Sequence, residues 1–280
     1  MIMNRLTMLA VTLMASIACF AQGKFDKGLT TSIPQGVPVG QTFVYKELEY
    51  LVIENASGTY QTQVVGFCPA VLNNPDLMDN GDGNKFTPHS IEIPHYVPAD
   101  NAPAMLVLSV APDAFNTTNI SSTLAAKVTK MKIDYKGEME EVKNLNGEGG
   151  VVLPTTGSTF DGLTALTEIK NFTPGAKITD ISKKSFANNV YQNAELIIPD
   201  GAFFDYGKVQ GWTNFLKTTD LSGNLRGDVD GDGWVDTYDA SLIITAYLND
   251  QYSEELDIDG DGWVDTYDAS IIISIYFVRD

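Results

Sequence analysis

Cysteine is nearly missing from this chain of 280 residues; there are two, Cys19 and Cys68. Cys19 lies in an apolar leader, so once the leader is removed no intrachain disulfide can form. Stability must then come from packing or from bound ions. Cys68, in the apolar phrase VVGFCPAV, reads as a small buried hydrophobe. Histidine is equally scarce, with only His89 and His95. No cysteine or clustered carboxylate follows them at ligand spacing, so they read as loop or surface residues rather than a metal pair. Lysine and arginine total 18 against 36 acids, a formal net charge of −18. With no basic patch to meet phosphates, the composition excludes a nucleic-acid partner. Local catalytic motifs are absent too: there is no G-x-S-x-G, no H-E-x-x-H and no glycine-rich phosphate loop. Folding could pair two of Asp161, Glu168, Asp180, Glu195 and Asp205, but nothing in their spacing selects a pair.

The one long apolar run is residues 1–21, MIMNRLTMLAVTLMASIACFA. It predicts a secretory signal peptide cleaved after Ala21, hence a secreted or cell-surface protein. The run is short for a membrane anchor and has no stop-transfer flank, so no membrane span is expected. Lipidation of Cys19 is the rival reading, with Ser16 standing where such signals usually place Leu.

What the chain has in excess is acid, and the acid is concentrated. Residues 228–280 carry fourteen acids and one arginine, a charge of −13 in the last 53 residues. Within them one loop occurs twice, 29 residues apart: DVDGDGWVDTYD at 228–239 and DIDGDGWVDTYD at 257–268. Oxygen donors fall at positions 1, 3 and 5, as Asp228, Asp230 and Asp232 and again as Asp257, Asp259 and Asp261. Position 6 is Gly233 or Gly262, where the chain must turn sharply. Position 7 offers the carbonyl of Trp234 or Trp263. Position 9 is Asp236 or Asp265, and position 12 is Asp239 or Asp268. A hard cation with six to eight oxygen ligands suits such a loop, and calcium suits it better than magnesium. Two Ca²⁺ ions are expected. Position 12 is Asp where an EF-hand carries Glu, so the helix that follows must sit closer.

This duplicated loop resembles a type I dockerin over residues 223–280. The apolar stretches ASLIITAYL (240–248) and ASIIISIYF (269–277) stand where the family has helices. The resemblance implies a cohesin-domain partner. It places partner contacts at Thr237, Tyr238, Ile244 and Thr245, and in the second copy at Thr266, Tyr267, Ile273 and Ser274. Thr-Tyr and Ile depart from the family's usual Ser/Thr pair and charged residue, which implies a divergent, more apolar cohesin. Because the two copies present nearly the same residues, the sequence leaves open binding in one orientation or in either of two opposite ones. Leu242, Ile243 and Tyr247 should cross-pack with Ile271, Ile272 and Tyr276.

Upstream, TFVYKELEYLVI (42–53) and TYQTQVVGF (59–67) flank the turn NASG and predict a β hairpin or cap over 42–90, after a flexible leader at 22–41. The loop NNPDLMDNGDGNKF (73–86) lacks the one-three-five spacing and reads as solvated. From Ile91 a weaker repeat appears. Apolar-x-apolar-Pro recurs as IEIP (91–94), VVLP (151–154) and LIIP (196–199). Val107, Val110 and Phe115 share a layout with Ile178, Ile181 and Phe186, and Phe160 falls between. Periods in the twenties predict stacked short strands in a parallel sheet. These phrases resemble the BspA-type bacterial leucine-rich repeat, whose terminal segment the aromatics Tyr206, Trp212 and Phe215 resemble as well. Residues 123–150 break the period, as an insertion or as a degenerate unit that keeps its place.

The expected fold class is mixed α/β. A short β-rich leucine-rich-repeat-like solenoid covers 91–221, and a small all-α dockerin with two calcium loop-helix repeats follows over 223–280. The expected function is that of a secreted bacterial, non-catalytic binding or adhesion protein, its N-terminal domain taking a protein or glycan ligand. A dockerin-borne glycoside hydrolase or peptidase is the rival.

Overall fold

A computed structural model describes residues 39–56, 59–78, 89–97, 105–135 and 150–279. The expected signal peptide with Cys19, and Asp79 and Asp82 of the acidic loop, lie outside the described residues.

The strands are β1 Thr42–Tyr45, β2 Leu48–Ala56, β3 Thr59–Phe67, β4 His89–Ile93, β5 Tyr96–Val97, β6 Met105–Val110, β7 Val128–Ile133, β8 Glu168–Asn171, β9 Glu195–Ile198 and β10 Lys217–Asp220. The α-helices are α1 Pro69–Asn73, α2 Ser122–Lys127, α3 Asn188–Asn193, α4 Phe203–Gly207, α5 Thr237–Leu248 and α6 Thr266–Arg279. Among the described residues, no helix is long and apolar enough to cross a membrane.

Among the described residues two five-stranded sheets form, in the orders β1-β2-β3-β6-β5 and β10-β9-β8-β7-β4. The first opens as a meander. The stretch 42–53, read as one strand, breaks at Lys46, whose φ of 52° is left-handed. No glycine or asparagine marks that turn, so it was not visible in the residue types. β3 then pairs in parallel with β6, which ties the hairpin to the rest of the domain.

Every pairing in the second sheet is parallel. Its strands alternate with period two. Ile91, Met131, Ile169, Leu196 and Thr218 align in register across the inner face and are buried. Outward, Glu92 accepts from Lys46 and Lys132, both at 3.0 Å, and Glu168 pairs with Lys130 at 2.9 Å. That polar face keeps the sheet from exposing apolar surface.

The segments ahead of β4, β7, β8, β9 and β10 each contribute one phenylalanine to a single buried column. Phe67, Phe115, Phe160, Phe186 and Phe215 form a column with successive ring centroids 5.1, 5.7, 5.0 and 5.3 Å apart. Backbone bonds tie successive levels together, with Phe115 N–H donating to Thr159 O and Phe160 N–H to Ser185 O. Tyr206 and Trp212 close the column's end. Both are buried, and they donate to Thr173 O at 2.8 Å and Thr179 O at 3.1 Å.

Two sequence readings need correcting here. IEIP and LIIP lie in the parallel sheet, but VVLP does not. Val152 instead bridges Ser109, beside the first sheet. An apolar-x-apolar-Pro phrase fits any short buried strand that ends at a bend, so the pattern merged two kinds of element. The true equivalents of β4 are β7 and β8. The stretch that broke the period therefore supplies, after α2, the strand β7 in the middle of the sheet, between β4 and β8. Residues 136–149 of that stretch lie outside the described residues. The second correction concerns His95. It is buried, with its ring centroid 6.2 Å from that of Tyr135, rather than on the surface.

After β10 the chain doubles back without a free linker. Arg226 N–H donates to Thr218 O at 2.9 Å, and Thr219 bridges Leu225. The duplicated loops and α5 and α6 follow, closing on their own apolar cluster. Ala240, Ile243 and Ala246 share one helical face, as do Ala269, Ile272 and Ile275, with Val235, Ile258 and Val264 beside them. Small alanines let the two helices approach closely. Tyr247, expected in this seam, is 46% exposed instead. At i+4 from Ile243 it falls to one side of a stripe that runs i, i+3, i+6.

Candidate metal centre and partner surface

In each loop the carboxylates at positions 1, 3 and 5 converge. Asp228, Asp230 and Asp232 present oxygens within 4.8 Å of one another, and so do Asp257, Asp259 and Asp261. Backbone donors set this geometry. Asp228 Oδ1 accepts from Gly231 N at 2.9 Å and Asp232 N at 3.1 Å, and its Oδ2 accepts from Gly233 N at 2.9 Å. Asp257 accepts from Asp261 N at 3.1 Å and Gly262 N at 2.9 Å, and the Tyr252 hydroxyl donates to it at 3.2 Å. Gly233 and Gly262 sit at φ of 90° and 93°, which a side chain would resist.

Position 12 closes the loop. Asp239 and Asp268 are buried, at 2% and 1% exposure. Asp268 Oδ1 accepts from Ile258 N at 2.7 Å and Asp259 N at 3.3 Å, and its Oδ2 accepts from Asp265 N at 2.8 Å. Asp239 does the same for Val229, Asp230 and Asp236. The helix therefore starts near enough for the shorter Asp side chain to reach the first loop residues. Position 9 caps that helix: Asp236 accepts from Tyr238 N, and Asp265 from Tyr267 N, each at 2.6 Å.

The donors gathered here are carboxylate oxygens, with no sulfur or imidazole among them, and they fit a hard divalent cation. Their charges also repel. Lost hydration, and then the charges of neighbouring acids, hold Asp230, Asp259 and Asp268 above the usual carboxylate range, with backbone N–H bonds offsetting part of the rise. A bound cation would remove that repulsion.

Six of the eight expected contact residues are exposed: Thr237, Tyr238, Thr245, Thr266, Tyr267 and Ser274. Ile244 and Ile273 are half-buried against the module's own core, so each offers an edge rather than a full side chain. The Thr245 and Ser274 hydroxyls bond back to Ser241 O and Ser270 O, at 2.8 and 2.9 Å. The rings of Trp234 and Trp263 lie outside the module's core, at 72% and 73% exposure.

Sequence reasoning missed Arg226. It is buried, it donates through Nη2 to Ile258 O at 2.6 Å, and burial pulls its pKa down to about 10 against the opposing charges of Asp259 and Asp268. A signal was present: Arg226 precedes position 1 by two residues, where the second copy has Glu255. Also unforeseen was a groove of roughly 620 Å³ between the domains, lined by Thr167, Asn193, Glu195 and Lys217 on one side and Trp234 and Tyr276 on the other.

The acids considered for catalysis are engaged elsewhere. Asp161 accepts from Thr117 N, Asp180 accepts from Gln210 N, and Asp205 pairs with Lys208 at 2.7 Å.

Residues 226–275 match the family model described as the dockerin type I domain. No curated protein and no solved structure matches the chain. The C-terminal module is thus a dockerin, and a dockerin implies calcium and a cohesin partner.

Proposed function

We propose that the chain is a secreted, non-catalytic binding protein, held on a cohesin-bearing complex or surface by a dockerin loaded with two calcium ions. The observation that carries this reading is the duplicated loop with both carboxylate triads converged and both Thr-Tyr pairs exposed. Each ion would supply positive charge at a triad and so order the loop; ordering is then part of the binding free energy. Asp239 and Asp268 hold the loop's start against its helix. That contact aims Thr237-Tyr238 and Thr266-Tyr267 outward.

The N-terminal domain reads as a short leucine-rich-repeat domain of the BspA type, on the strength of its parallel sheet and phenylalanine column. Its ligand is a protein or a glycan. The groove beside Trp234 is where an aromatic ring and polar side chains meet, as ligand sites at domain interfaces commonly do.

Calorimetric titration of the full chain with a cohesin domain tests the tether. Calcium should be required and EDTA should abolish binding. Replacing one Thr-Tyr pair by alanines should cost about twofold, because the second orientation remains, and replacing both should cost roughly thirtyfold or more. Complete loss from either single replacement would rule out two orientations.

A carbohydrate-active enzyme is the second reading. It draws on one observation: Glu168 and Glu195 are register partners on β8 and β9, and Glu195 lines the groove. Both are already engaged, Glu168 by Lys130 and Glu195 by the Thr219 hydroxyl at 2.6 Å. Polysaccharide turnover that Glu195→Gln abolishes would establish the enzyme and overturn the non-catalytic reading.

A further inference from the structure

We propose that the two calcium loops are unequal sites. The second, Asp257–Asp268, is also the joint between the dockerin and the N-terminal domain, so its ion and the docking of the two domains stabilise each other. The first binds its ion independently. This rests on the calcium reading of the loops.

From position 3 onward the loops are identical through position 12, so any difference between them comes from their surroundings. Those surroundings differ. Asp228 is half-buried and Asp230 exposed, whereas Asp257 is 1% exposed and Asp259 half-buried. The position-4 glycines show the cause. Gly231 and Gly260 have the same left-handed backbone, with φ of 75° and 69°. A Cβ on Gly231 would meet nothing within 4 Å. A Cβ on Gly260 would lie 2.6 Å from Lys208 Cβ and 3.0 Å from the Lys208 backbone nitrogen. From the other side, a Cβ on Gly207, the last residue of α4, would lie 2.7 Å from Ile258 O. Backbone therefore rests on backbone, with α4 and Lys208 on one side and positions 2 to 4 of the second loop on the other.

Arg226 is the pin through this joint. Its backbone nitrogen bonds to Thr218 O on β10, and its guanidinium reaches Ile258 O in the loop. Its Nε has no hydrogen-bond partner. Burying a guanidinium is costly unless the charge is compensated. Compensation here comes from the Ile258 carbonyl and the nearby charges of Asp259 and Asp268, and it exists only while the loop holds its folded shape. A disordered second loop removes the acceptor and loosens the joint. An ion that orders the loop restores both. By linkage, docking must strengthen binding of that ion by the same factor. Sequence repetition hides this asymmetry, because Arg226 and Glu255 occupy equivalent places, yet Arg226 is buried with its guanidinium on Ile258 O while Glu255 is exposed.

The test compares Gly231→Ala with Gly260→Ala in the full chain. Both carry the same backbone strain, so the difference between them reads the joint. Calcium titration of the native chain should resolve two sites. Gly231→Ala should weaken one a few-fold, and Gly260→Ala should weaken the other roughly tenfold more than that. Hydrogen exchange at residues 203–208 should slow when calcium is added to the native chain, and should lose that response in Gly260→Ala. Gly207→Ala lies outside both loops and keeps the measurement informative if a loop variant misfolds; it should weaken only the second site. Equal weakening by the two loop variants, or no effect of Gly207→Ala on either site, overturns the proposal while leaving the calcium reading intact. Failure of the native chain to take up calcium overturns both together.

Discussion

Asp268→Ala should unfold residues 257–279 even at calcium levels that saturate the native chain. The side chain is buried and accepts three backbone N–H groups. Alanine leaves all three without acceptors, each hydrogen bond to a charged group being worth roughly 1.5–3 kcal/mol. A loss of about 4 kcal/mol or more approaches the whole stability of a small module. Asp268→Asn is the informative companion. Its remaining oxygen can serve Ile258 and Asp259, but its amide faces the Asp265 N–H, so the loss should be smaller. Hydrogen exchange across 257–279 separates the two; similar protection in both variants would show that Asp268 is not the closing residue.

The same carboxylates set an opposite dependence on pH with and without the ion. Asp230, Asp259 and Asp268 titrate above the usual range in the fold. A group raised on folding favours the folded state most when pH lies below its unfolded value, about 4 for Asp. That contribution is lost as pH rises through the folded value. In EDTA, the dockerin should therefore melt higher at about pH 4 than at pH 7. With calcium the order should reverse, because protons compete with the ion for the same oxygens.

Phe160→Ala should be the most damaging change in the N-terminal domain. Phe160 is fully buried and stands mid-column, 5.7 Å from Phe115 and 5.0 Å from Phe186, nearly parallel to both. Truncation removes transfer free energy and leaves a cavity that flanking strands cannot collapse into, because both are pinned in a parallel sheet. The expected cost is about 3–5 kcal/mol, or roughly 10 °C in melting temperature. Removing the ring from Phe215, at the end of the column and beside Trp212, should cost less if Trp212 can shift. Calorimetry of the full chain reads both losses, and the calcium titration should stay unchanged for Phe160→Ala because that residue belongs to a core cluster separate from the one beside the loops. A Phe160→Ala chain that melts like the native one would mean the column does not carry the core.

The dockerin was legible because chelation is a local matter. Ligands from one loop of twelve residues must alternate, a glycine must sit where φ is positive, and a second copy repeats every constraint. Asp228, Asp230 and Asp232 could thus be read as a group before any fold was known, and the cluster at Asp257 likewise. Even there, sequence spacing did not show that Asp239 and Asp268 would be buried acceptors, since two of the three N–H partners of each come from the opposite end of the loop.

The N-terminal domain was legible only in part. Phe115, Phe160 and Phe186 were visible as a pattern, since repeated units reuse the same wedge. Phe215 was visible only through the terminal segment's aromatics, Phe67 completes the column from a segment that carries no repeat phrase, and VVLP carries the phrase without the position. Short apolar strands look alike in sequence, and register is decided by what they stack on.

The amino-acid sequence alone determined the carboxylate clusters and the two loop-helix repeats that hold them, because each depends on residues within a dozen positions. Only the tertiary structure decided that two nearly identical loops meet different neighbours. Arg226, Gly207 and Lys208 are distant from Ile258 and Gly260 in the chain, and their contacts arise from where β10 delivers the dockerin against α4.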